Sequence, residues 1–248
     1  MATANPAMND AVYQRAGMAD STTGAMSLEG TVLKTAILTV LLVAGAIVTW
    51  SPEVANSPLS GVLLIGGLIG GSILAFVTIF FPRFSPVTAP LYAGLEGLAL
   101  GGISSAFEQR YHGIATQAVG LTFGVLIMML GLYGTRIIRA TEKFKIGVVA
   151  ATGAVCLVYL VSFIASFFGA QIPLIHSTGW VGIGFSLVVV VIAALNLILD
   201  FDFIEKGVQR GAPKYMEWYG GFSLMVTLVW MYLEILRLLA KTRGGSRN

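Results

Sequence analysis

Acidic side chains inside apolar runs are scarce in this sequence, and each one raises a chemical question. Glu96 lies in the middle of an apolar stretch, and Asp200 lies near the end of another, with Asn196 one helical turn before it on the same face. Glu234 lies in the last such stretch with Arg237 three residues on, and Asp202 follows Asp200 on a different face. A charge at the centre of a bilayer costs about 2.5–3.5 kcal/mol on insertion scales. Hard cations prefer oxygen ligands, so carboxylates at that depth could touch a passing cation (Glu96, Asp200, Asp202) and sense protons (Asp200, Glu234, Glu96). Plainer readings stand beside these. Glu96 would be a protonated acid hydrogen-bonded to a neighbouring helix, Asp200 a helix-end carboxylate among headgroups, and Glu234 a local pair with Arg237. Asp202, Glu205 and Glu217 read as solvated loop charges.

The last stretch carries a pattern as well as an acid. Tyr219, Ser223, Thr227, Trp230 and Glu234 recur at steps of three and four, which places them on one helical face. A polar stripe along an apolar helix should face protein or water, so this helix is expected to be enclosed by the others.

Other chemistries are excluded by what is missing. There is no GxxxxGK[ST] loop to cradle a phosphate and no HExxH to bring two imidazoles to zinc. The two histidines, His112 and His176, lie far apart in short connections, which argues against a metal site between them. No serine within a span has an intramembrane histidine as its base, and the last span has no interior lysine for a Schiff base. Cys156, the single cysteine, lies in an apolar run without a disulfide partner. Neither an enzyme nor a bound cofactor is expected.

The elements that must hold these residues follow from composition. Of 248 residues, 56% are hydrophobic and 11% charged, and the mean hydropathy is +0.84, whereas a soluble domain carries about 25% charged residues. The solvent is therefore a bilayer. The net charge of +3 comes from basic residues in short connections, where they orient the chain and imply no nucleic-acid partner. A hydrocarbon core of about 30 Å takes roughly 20 helical residues. Seven stretches approach that length, at roughly 33–50, 59–81, 87–107, 114–135, 146–169, 179–202 and 218–240. The expected fold is thus all-α and polytopic, with a polar tail of residues 1–32, a transmembrane domain of residues 33–240 and a basic tail of residues 241–248.

The second, fourth and sixth connections hold Arg83, then Arg136, Arg139, Lys143 and Lys145, then Lys206, Arg210 and Lys214, whereas the others hold only Arg110. Basic connections stay inside, which puts the N-terminus and its tail in the cytoplasm. Arg237, Lys241, Arg243 and Arg247 resist this if the last span crosses completely, and a re-entrant or incomplete last helix would remove the conflict. Close packing in lipid depends on small residues. GxxxG pairs at Gly66/Gly70, Gly67/Gly71, Gly97/Gly101 and Gly120/Gly124 are candidate helix contacts.

Several strings carry a resemblance. KTAILTVLLVAGAIVTW, PLYAGLEGLALGGIS, ALNLILDFDFIEKG and EWYGGFSLMVTLVWMYLEILRLL, with the Asn5-Pro6-Ala7-Met8 element, make the chain similar to the bacterial YccA-like branch of the Bax inhibitor family from about residue 26 onward. This resemblance implies a seven-helix fold with the last helix enclosed by six. It also implies a proton-sensitive calcium leak in a bacterial inner membrane, or a regulator of membrane-protein quality control that binds a membrane protease, with the tail of residues 1–32 as the contact. The family's sensor pairs a carboxylate ending the sixth helix with one in the seventh. Asp200 matches the first, on the Leu199-Asp200 string with Ile204 four residues later, whereas Thr227 falls where many relatives have Asp. Glu234, seven residues further along the same face, and Glu96 are the candidate replacements.

Overall fold

The structure, a computed structural model, describes residues 24–168 and 179–245. Seven long helices run α1 (Leu28–Trp50), α2 (Leu59–Phe80), α3 (Ser85–Arg110), α4 (Ile114–Gly134), α5 (Glu142–Phe167), α6 (Trp180–Gln209) and α7 (Met216–Gly245), with a helical turn at Pro52–Ala55 and a 3-10 turn at Pro82–Phe84. Among the described residues there is no strand, only an isolated bridge between Ala25 and Pro213. All of these helices except α3 are long and apolar enough to cross a membrane, so the chain is a multi-pass membrane protein.

The helices outrun the apolar stretches from which they are read. α1 starts at Leu28 and not at residue 33. Its Ser27 cap accepts a hydrogen bond from the Gly30 N–H at 3.0 Å, and Glu29 sits in the first turn, where the helix dipole favours an acid. α5 starts at Glu142 behind the Thr141 cap, whose side chain accepts from the Phe144 N–H. α6 runs on to Gln209, and α7 runs to Gly245, so most of the expected basic tail is helix. Hydropathy marks the part of a helix that lipid can cover, whereas caps and good helix formers such as Glu and Lys carry the backbone beyond it.

α3 is the exception among the seven expected spans. It contains Ser85, Pro90, Glu96 and Ser104, and its composition falls short of a membrane span. The packing explains this. α3 lies against both α1 and α2 and buries ten of its residues, so little of its surface has to match lipid.

The described chain divides into two compact units, residues 24–110 with 200–226, and residues 111–168 and 179–199 with 227–245. In the first unit the small residues permit close approach. A β-carbon at Gly97 would meet the Leu42 carbonyl, and one at Gly101 would meet the Ala46 carbonyl and the Thr49 hydroxyl. Thr49 donates across this contact to the Leu98 carbonyl at 2.9 Å. Gly67 faces the Leu95 carbonyl, Gly70 the Leu95 side chain and Gly71 the Glu96 carboxyl, whereas Gly66 meets nothing within 4 Å. Gly120 and Gly124 also face open space, so that expected contact is absent among the described residues.

In the second unit the basic end of α7 is held by hydrogen bonds. Lys241 donates to the Gly182 carbonyl at 3.0 Å and to the Ser186 hydroxyl at 2.8 Å. Arg243 donates to the His112 carbonyl and to Gln117, both at 2.8 Å. The helix is continuous over 30 residues, about 45 Å at 1.5 Å per residue. It is therefore long enough to cross a bilayer, and it runs without turning back to end beside the third connection and the first turns of α6.

Candidate functional site

Of the apolar windows, that of α7 is the most buried, 61% of it against 17% in α1 and α2. Its stripe is correspondingly inside: Tyr219, Ser223, Thr227 and Glu234 are buried, and Trp230 is half-buried.

In the first unit, Asp200 is completely buried. Asp202, on the next face of α6, pairs with Lys206 at 2.8 Å and is half-buried. Both belong to helix, as does Glu205, which accepts from Gln209. The expectation that Asp202 and Glu205 are loop charges is thereby corrected, because α6 continues one turn and more past the apolar run. Glu96 lies half-buried on α3, in the space that Gly71 leaves free, and Tyr92 lies one turn before it. The Tyr92 ring packs edge-on against Phe222 at 5.0 Å. Phe222 neighbours Tyr219 at 6.2 Å, and Tyr219 neighbours Phe203 at 6.2 Å. The Tyr219 hydroxyl is buried with no hydrogen-bond partner among the described residues.

Glu217 is a second correction. Read as a solvated loop charge, its side chain is 1% exposed and pairs with Lys214 at 2.8 Å. It accepts from the Ser27 N–H at 3.0 Å and the Ser27 hydroxyl at 2.8 Å. The carboxylate thus sits at the positive N-terminal end of α1, and Gly30 is needed there because a β-carbon would strike it. The chain before α1 completes the corner: Met26 N–H donates to Ala212 at 2.7 Å, and Lys214 N–H to Gly24 at 3.2 Å. Of the expected polar tail, residues 24–32 are therefore docked or helical, and residues 1–23 lie outside the described residues. Gly211, at φ +62, makes the turn into this corner. Tyr215, just before α7, hydrogen-bonds Arg83; burial pushes its phenol up, and the Arg83 bond and charge partly offset this.

In the second unit, Glu234 is 2% exposed and its neighbours answer its charge. Arg237 Nη1 donates to both carboxylate oxygens, at 2.8 and 2.9 Å, and to the Tyr159 hydroxyl at 2.6 Å. Tyr159 in turn donates to Glu234 at 2.8 Å, and Arg237 also lies over its ring, 5.1 Å from the centroid. The geometry is that of the local pair closed into a triangle by a third residue. Asn196 donates to the Thr152 hydroxyl and to the Ile192 carbonyl, both at 2.8 Å.

Asp200, Asp202 and Glu96 therefore belong to one unit, and Thr227 and Glu234 to the other. Glu217 and Lys241 were not anticipated as buried polar groups, nor Tyr159 as a half-buried partner of Glu234. Lys214 three residues before Glu217 was the one local signal, and nothing in the spacing pointed to Tyr159. Among the described residues no group of three or more His, Cys, Asp or Glu side chains could hold a metal ion. His112 lies in the third connection, and His176 is outside the described residues. The model of the Bax inhibitor 1 like family matches residues 5–244. No curated protein matches the chain.

Proposed function

The chain belongs to the Bax inhibitor 1 like family, and on that premise we propose that it is a pH-sensitive cation leak, for calcium first, in a bacterial inner membrane. The reading is carried by Asp200, completely buried within α6, where a family carboxylate is expected. A carboxyl group out of water exists as a neutral hydrogen-bond donor or as a charge that demands a partner. Its two protonation states therefore favour different surroundings, as a proton-driven switch requires. The neutral acid holds the closed arrangement, and ionisation at higher pH opens the path. Glu234 is a poorer second sensor than Glu96, because Arg237 and Tyr159 already satisfy its charge.

Purified protein in calcium-loaded liposomes tests this. Flux should rise from mildly acidic to mildly alkaline pH, and Asp200→Asn should flatten that profile with folding intact. An unchanged profile in folded Asp200→Asn protein would leave Asp200 a buried structural group of α6 with no part in gating. No flux at any pH, together with co-purification of a membrane protease, would favour a non-conducting partner of that protease.

The orientation we propose keeps the fourth connection and the N-terminus in the cytoplasm. Cysteines introduced as Lys143→Cys and His112→Cys in a Cys156→Ser background should react differently with an impermeant thiol reagent added outside. His112→Cys should be labelled and Lys143→Cys protected. The reverse pattern would invert the topology.

A further inference from the structure

Tyr219 is completely buried on α7, yet its hydroxyl has no hydrogen-bond partner among the described residues. A buried unsatisfied group is rare in native proteins and calls for a physical reason. Phenylalanine has the same shape without that cost, so packing alone does not account for the oxygen. The surroundings restrict what the oxygen can serve. The ring neighbours are Phe203 and Phe222, each at 6.2 Å, and Phe222 also packs edge-on with Tyr92 at 5.0 Å. Aromatic faces are negative and attract cations. Two of these rings also have an acid one turn away on their own helix, Asp200 three residues before Phe203 and Glu96 four residues after Tyr92. The aromatic group thus shares its helices with two carboxylates of this unit, Asp200 on α6 and Glu96 on α3.

We infer that the Tyr219 hydroxyl is an oxygen ligand for the permeating cation, a neutral station served by the acids at Asp200 and Glu96. This rests on the leak reading and names a residue of its path. A neutral oxygen suits such a station. Conduction needs binding strong enough to enter and weak enough to leave, and a phenol adds a ligand without a full charge.

The test compares wild type with Tyr219→Phe by two readouts: the shift in thermal unfolding in detergent when calcium replaces sodium at equal ionic strength, and calcium flux in liposomes. Wild type should be stabilised by calcium, and Tyr219→Phe should lose most of that shift while unfolding at the same or a higher temperature in sodium. Flux should fall several-fold in the variant. A calcium shift equal in both proteins, or absent from wild type, would overturn the proposal. If wild type shows the shift and the variant loses it while neither conducts, the ligand stands and the leak reading fails.

Discussion

Arg237→Met should destabilise the protein by about 3 kcal/mol, the low end of the cost of leaving a buried charge without its partner. The low end applies because the Arg237 side chain is 37% exposed, so water and headgroups reach part of the pair. Glu234, at 2% exposure, would lose two hydrogen bonds from one guanidinium nitrogen, and the Tyr159 hydroxyl would lose the bond it accepts from the same nitrogen. The double variant Glu234→Leu with Arg237→Met should recover most of the loss, because no charge is then stranded and apolar replacements of a buried pair are often neutral or better. Thermal unfolding of the three proteins in detergent measures the cycle. A single variant as stable as wild type would show that Glu234 carries no charge in the folded state. A double variant no better than the single would show that Arg237 contributes by packing, its stem and its stacking on Tyr159 being the parts at stake.

The same triangle separates what the sequence discloses from what it does not. Arg237 is three residues from Glu234, and helical geometry alone makes them neighbours. Tyr159 comes from 75 residues away, and no local period connects it to Glu234. The long helices were legible because lipid demands sustained apolar runs of fixed length. α3 was legible as a helix but not as the one packed between two others, since that depends on what lies opposite. Glu217 shows the same limit. Beside Lys214 and Tyr215 it reads as a loop charge, and its burial is decided by Ser27, 190 residues earlier. Asp200 was found because an acid near the end of an apolar run is costly wherever the chain goes. Tyr219 was found only as one member of a stripe, and its unpartnered hydroxyl is a property of the packing.

Glycine spacing provides the sharpest contrast between a sequence pattern and its physical content. Gly97/Gly101 and Gly120/Gly124 are both pairs at four residues, which says only that each pair shares a face. The α3 pair faces the α1 backbone, where added β-carbons would run into the Leu42 and Ala46 carbonyls. Backbone is not the flexible end of a side chain and cannot turn aside, so the two helices must separate. Gly97→Ala and Gly101→Ala should each cost about 1–3 kcal/mol as overpacking, with the pair summing to less if one separation relieves both. Separation would also break the bond from Thr49 to the Leu98 carbonyl. Gly120→Ala and Gly124→Ala should be neutral or stabilising, because the added methyls meet nothing within 4 Å and alanine is the better helix former by about 0.8–1 kcal/mol per site. Unfolding of the two double variants in detergent should therefore move in opposite directions. Equal loss in both would mean that the α4 pair packs against a second chain in the membrane, and no loss in the α3 pair would show that α1 and α3 do not meet backbone to backbone.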